Sequence, residues 1–235
     1  MVQASRRTGS PDSALVRLLA RLAELDVRDS PQGFADRLGQ WLRWTDATPL
    51  FTALKESPAA RPPAGDADKA AAALQTIAGA AARLRSALAR AIAEEVATAT
   101  EDVRNPPPPL PGEPRDATPG FAPLRRCVLA RQASMATGIE PLRGRLRMAL
   151  MARSPALARL AAVDTVMEQV IGAQEHRLLS GIPKLLEKRF KLLRDAPDVD
   201  DWMGLFQQDL QGVLMAELDL RWQPIEGLLK TLRNN

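Results

Sequence analysis

Residues 66–104 read DADKAAAALQTIAGAAARLRSALARAIAEEVATATEDVR. Alanine, leucine, arginine and glutamate fill the stretch, and each loses little side-chain freedom in a helix. Leu74, Ile77, Ala81, Leu84, Leu88, Ile92 and Val96 recur at spacings of three and four, which puts them on one side of a helical cylinder. The spacing predicts one helix from Asp66 to Arg104, roughly 58 Å long at 1.5 Å per residue. Its many alanines favour close approach of neighbouring helices. Elsewhere valine, isoleucine and threonine stand singly and almost never alternate with polar residues, so no half-buried strand is expected and the chain reads as all-α.

The rest of the composition agrees. Of 235 residues, 46% are hydrophobic and only 4% aromatic, enough for a sizeable core, built mainly of leucine and alanine, in one large domain or two small ones. A formal charge of +4 is too mild to imply nucleic acid by itself. Cys127 is the only cysteine, which excludes an intramolecular disulfide. No apolar run approaches the roughly 20 residues of a membrane helix. Arg6 and Arg7 are followed by no apolar leader segment, and a cytoplasmic protein is the expectation.

Hydroxyl–proline pairs punctuate the chain at Ser10-Pro11, Ser30-Pro31, Thr48-Pro49, Thr118-Pro119 and Ser154-Pro155. A capping hydroxyl accepts from a free amide of the first turn, and proline suits the first helical position, where its missing N–H is not needed. These pairs predict helices from Pro11 to Asp26, from Pro31 to Trp44, from Pro49 to Glu56 and from Pro119 to Ala152, with Gly138 and Pro141 as points of kinking or splitting. Another follows Ser154, with Leu157, Leu160, Val163, Met167, Ile171, Gln174 and Leu178 inward. A break or kink is expected at Ser180–Pro183. The last long helix is expected from Asp198 to Trp222, with a short one after Pro224.

Between the halves stands NPPPPLPGEPRDATPG, residues 105–120. Proline removes donors and bars its predecessor from helical geometry, so residues 105–117 read as a polyproline spacer of about 40 Å. The expected organisation is an N-terminal helical unit with its long helix over 10–104, the spacer, and a C-terminal bundle or coiled-coil hairpin over 118–235. Proline runs also serve as ligands of aromatic grooves, a reading less favoured here because nothing flanking the run selects a partner.

Charge is segregated. Residues 121–160 carry eight arginines against Glu140, and residues 198–226 carry seven acids against Arg221. The favoured reading is that the basic and acidic helices face each other; the alternative is an anion-binding surface for nucleic acid or anionic lipid centred on Arg143, Arg145 and Arg147.

Candidate chemistry is sparse. His176 is the only histidine and has no ligand partners at zinc spacing. Cys127 lies beside Arg125 and Arg126, which would lower a thiol pKa, yet no histidine base is near in sequence. Glu94 and Glu95 are neighbours on a helix and diverge. No phosphate loop or nucleophile elbow is present. A non-enzymatic protein without cofactor or metal is expected. Trp41 and Trp44, one helical turn apart, are assigned as packing residues, with Trp44 also a candidate docking anchor for a partner.

The blocks SALVRLLARLAELDV, FADRLGQWLRWTDATPLFTAL, RSPALARLAAVDTVMEQ and LMAELDLRWQPIEGLLKTLR resemble an uncharacterised proteobacterial family built on a domain of unknown function. The resemblance covers most of both halves and skips residues 57–117. It implies an all-helical protein without an assigned activity. Genes of that family have neighbours for a proton-channel-like inner-membrane protein and an OmpA-like protein, which implies an accessory role at an envelope machine. Taken together, the expectation is a helical interaction or scaffold protein, potentially a homodimer through its long helices, with nucleic acid or a membrane surface as the less favoured partner.

Overall fold

The computed structural model describes residues 14–23, 44–55, 67–106, 120–196 and 200–234. Within them the chain forms seven helices: α1 (Ala14–Leu22), α2 (Trp44–Lys55), α3 (Ala67–Arg104), α4 (Ala122–Met151), α5 (Pro155–Leu179), α6 (Ile182–Arg194) and α7 (Trp202–Asn234). No strand occurs among the described residues.

Three long helices, α3, α4 and α7, pack on one another and hold the core. The expected stripe of α3 points inward: Ala81, Leu88, Ile92 and Val96 are buried, while Leu74, Ile77 and Leu84 are partly so. From α4 come Leu124, Val128, Met135, Ile139, Leu142 and Leu146, all buried. From α7 come Phe206, Leu210, Val213, Leu214, Leu218, Trp222 and Ile225. Each fully buried leucine contributes about 1.5–3 kcal/mol relative to exposure. Residues on both sides of the proline-rich stretch enter this one cluster, although residues 107–119 themselves lie outside the described part.

Side-chain partners fix the directions. Arg131 meets Glu95, and Gly138 faces Leu84, where a Cβ would come within 3.2 Å. Helices α3 and α4 therefore run antiparallel. Arg104 pairs with Asp201 and Arg85 with Asp219, so α7 is also antiparallel to α3. Phe121 contacts Phe206 edge-on, and Gln132 donates to Glu217, residues 85 apart in sequence. Hence α4 and α7 lie parallel in fixed register.

The remaining helices wrap this trio. Helix α5 packs on α4, and α2 packs on α5 through Ala53, Val166 and Val170. Helix α6 lies on α7 and α4, and α1 on α7 and α6. Phe121, Phe190, Phe206 and Trp202 close one end, with ring centroids 5.3–6.2 Å apart in tilted and edge-on contacts, the geometry preferred by ring quadrupoles.

Capping accounts for some boundaries and corrects others. Ser154 accepts from the Leu157 amide at 3.3 Å and Pro155 opens α5, as expected. Ser180 and Gly181 keep right-handed helical angles, so the α5–α6 junction is a kink. Asp201 caps α7 by accepting from the Gly204 amide at 3.0 Å. It therefore precedes the helix, whereas a place in the first turn was expected. The Pro31–Trp44 helix, Trp41 included, lies outside the described residues, as do Ser10-Pro11, Ser30-Pro31 and Thr118-Pro119. Pro49 lies inside α2, which already runs from Trp44, instead of starting it. Helix α4 starts at Ala122, with Pro123 in its first turn, and runs unbroken through Gly138 and Pro141. Helix α7 runs unbroken through Pro224. Both prolines forfeit a backbone bond, but buried leucines on either side hold each helix together.

Candidate functional site

Among the described residues, part of the basic block is built into a cluster of four charged side chains. Arg143 and Arg147 stand one turn apart on α4; Asp164 and Glu168 stand one turn apart on α5. Arg143 donates to Asp164 from Nε at 2.9 Å and from Nη2 at 2.7 Å, and its Nη1 is 3.2 Å from Glu168. Arg147 donates to Asp164 Oδ2 at 2.7 Å, reaches the Asp164 carbonyl at 3.2 Å and lies 2.8 Å from Glu168. The two guanidiniums are 14% and 13% exposed and Asp164 is 15% exposed. Burial works to raise the Asp164 carboxyl pKa; the hydrogen bonds and charges of Arg143 and Arg147 overcome it and leave the pKa below the ordinary carboxylate value. For Arg143, burial opposes the charged form, but Asp164, Glu168 and Glu175 hold its pKa above the usual one.

The basic and acidic helices, α4 and α7, do pack on each other, but not through the expected charge pairing. The carboxylates that neutralise Arg143 and Arg147 belong to the next helix, α5. The acids of α7 go elsewhere: Asp209 to Arg189 and Arg21, Asp219 and Glu226 to Arg85, and Asp201 to Arg104. Arg145 points away from the seam and is exposed. The inward face of α5 is corrected with it. Leu160 and Leu178 are exposed, and the buried residues are Leu157, Ala158, Ala161, Val166, Val170 and Leu179. Acidic residues on the α4-facing side of α5 hid the contact from an apolar-stripe reading.

One carboxylate that sequence reasoning missed sits in the core. Glu217 is 0% exposed. It accepts from Gln132 Nε2 at 2.9 Å and from Arg221 Nε at 2.9 Å, and Gln132 also donates to the Leu179 carbonyl at 3.2 Å. Burial raises the Glu217 pKa above the ordinary value, against the opposing pull of Gln132 and Arg221. The position falls on the apolar stripe of α7, between Leu214 and Leu218, which is the only trace it leaves in the sequence.

Cys127 is buried beside Glu95 and Arg131. Burial pushes its thiol up to about 11, and the charge of Glu95 adds to the rise while Arg131 opposes it. The expected lowering by Arg125 and Arg126 is thereby corrected: both arginines are exposed and burial dominates. His176 is exposed near the end of α5, and its neighbour Glu175 faces Arg221 at 3.8 Å. Among the described residues no three of His, Cys, Asp and Glu stand close enough to hold a metal ion. An open groove of about 470 Å³ runs between α1 and α7, bordered by Arg17, Arg21, Met215 and Asp219. Asp219 is already paired with Arg85.

The N-terminal docking candidate is only partly within view. Trp44 is the first residue of α2 and its side chain lies outside the described part. Two turns later on the same helix, Phe51 and Leu54 are 61% and 54% exposed. Lys55 stands over the Phe51 ring at 5.0 Å. The same helix supplies Leu50 and Ala53 to the contact with α5.

No curated protein and no solved structure matches the chain. A family model described as "Protein of unknown function (DUF3348)" matches residues 1–234. The chain belongs to that family.

Proposed function

We propose that this member of the family is a non-enzymatic helical docking protein that receives a protein partner on the outer face of α2. The observation that carries the reading is the pair Phe51 and Leu54, large apolar side chains left in water on a helix whose Leu50 and Ala53 are committed to α5. Contiguous exposed apolar surface marks interaction sites, and aromatic anchors dominate binding energy at interfaces. Trp44 precedes Phe51 by seven residues, two turns of the same helix. The charged groups favour the same reading over an anion-binding role, because Arg143 and Arg147 already have carboxylate partners and only Arg145 of the three faces solvent.

The family resemblance points to a component of an envelope machine, of the proton-channel-like inner-membrane type, as the partner to test first. The double variant F51E/L54E should abolish co-purification of that component from cells while leaving the far-ultraviolet helical signal unchanged. If the folded double variant retrieves the same component as the parent chain, the α2 face is not the docking surface. If nucleic acid alone is retrieved, the protein-docking role itself fails.

A further inference from the structure

Helix α6 is amphipathic, and its two faces are unlike in chemistry. Ile182, Pro183, Leu186, Phe190 and Leu193 are buried. The opposite side carries Lys184, Lys188 and Lys191, all exposed, with Leu192 beside them at 49% exposure. At the corner where α5 turns into α6, Leu178 is 71% exposed and Arg177 next to it is exposed as well. Arg125 of α4 is close enough to Glu187 to contribute to its lowered pKa, after the hydrogen bond and charge of Lys191. Exposed Leu129 follows Arg125 by one turn. The acids nearby are taken: Glu187 accepts from Lys191 at 2.8 Å and Asp195 from Arg194 at 2.8 Å. Among the described residues no ion pair engages Lys184 or Lys188.

We propose that the outer face of α6, together with the α5–α6 corner, docks on the surface of an anionic phospholipid bilayer. A helix lying in a bilayer interface needs basic residues on flexible stems at headgroup level and apolar side chains that enter the acyl boundary. Lys184 and Lys188 supply the first, and Leu178 and Leu192 supply the second. Charge complementarity selects anionic over neutral lipid, since each lysine near such a surface adds a several-fold gain in partitioning. Nucleic acid fits the face less well. Exposed leucines gain nothing against a phosphate backbone. The face also offers no exposed aromatic ring for base stacking and has lysines where paired phosphate contacts favour arginine forks. This docking uses a face distinct from α2 and does not depend on the role assigned there. No described helix is long and apolar enough to cross a membrane, so the contact is peripheral.

Co-sedimentation of the full chain with large unilamellar vesicles tests the assignment. Vesicles of phosphatidylcholine with phosphatidylglycerol should bind the protein, and pure phosphatidylcholine vesicles should not. Binding should fall as salt rises from 0.05 to 0.5 M, because the Debye length shrinks to a few ångströms over about that range. K184E/K188E should weaken it more than about tenfold with helicity unchanged. R83E/R90E, an equal charge change at exposed positions of α3, should leave it intact, and L178S should weaken it in low salt. The proposal is overturned if the parent chain ignores anionic vesicles, if R83E/R90E loses as much binding as K184E/K188E, or if a duplex oligonucleotide binds through the same lysines while vesicles do not.

Discussion

Arg143 grips Asp164 with two parallel bonds, Nε to Oδ2 at 2.9 Å and Nη2 to Oδ1 at 2.7 Å, and Arg147 shares the same Oδ2 at 2.7 Å. One carboxylate thus serves two guanidiniums, and the three groups are not interchangeable. D164A leaves two partly buried cations facing Glu168 alone and should cost about 2–4 kcal/mol in urea unfolding. R143A leaves Asp164 with Arg147 and should cost less, about 1–2 kcal/mol. The double variant should cost less than the sum of the two, with a coupling of about 1–3 kcal/mol. Additive costs would show that the seam is not cooperative. Because the folded pKa of Asp164 is depressed, its contribution is present above the unfolded value near 4 and is lost as pH falls through the lower folded value. The gap between parent and D164A should therefore narrow on the acid side of about pH 4.

Glu217 carries the opposite sign. Its pKa is raised by burial, so its contribution is complete below the unfolded value near 4.3 and declines as pH rises through the folded one. E217Q carries no titrating proton at this position. Relative to the parent, E217Q should therefore gain stability as pH is raised from 4 toward 8, read as a shift in urea midpoint at each pH. A difference independent of pH would mean that the carboxylate is not desolvated in solution.

Pro141 and Pro224 each leave a carbonyl four residues back without its helical donor. Both lie inside unbroken helices, and Pro141 is exposed while Pro224 is half-buried. P141A and P224A should each raise stability by about 1–3 kcal/mol through the restored bond and better propensity, measured as an upward shift in thermal midpoint. No gain at either position would indicate that the proline ring makes contacts worth as much as the missing bond.

Apolar periodicity made the long helices legible. The stripes of α3 and α4 point inward almost residue for residue, because a core that is nearly all leucine and alanine leaves few other places for such spacings to go. Ser154-Pro155 and the Ser180–Pro183 corner were legible for the same local reason: capping and proline geometry act within one turn. The start of α4 at Ala122 and the continuation of α7 through Pro224 were not, since tertiary burial of Phe121, Ile225, Leu228 and Leu229 outweighs a single proline or hydroxyl. The candidate sites fared in the same way. Net charge per segment showed that the arginines of α4 needed partners, but not which helix supplied them. Asp164 and Glu168 sit among neutral residues and form no acidic run, so their pairing with Arg143 and Arg147 emerges only once α5 folds back along α4. Glu217 and Arg221 stand one turn apart on α7, but their third partner Gln132 lies 85 residues earlier and has no local signature.

The parallel alignment of α4 and α7 bears on how the chain reaches its final state. Two parallel neighbours cannot be joined by a tight turn, so the chain must travel out along α5 and α6 before α7 can pack against α3 and α4. The strip that completes the interior is thus the last of the seven helices to leave the ribosome. Until it arrives, Leu124, Val128, Leu142 and Leu146 have lost one wall of their burial site. A nascent chain stopped short of residue 202 should be a sticky, chaperone-dependent species.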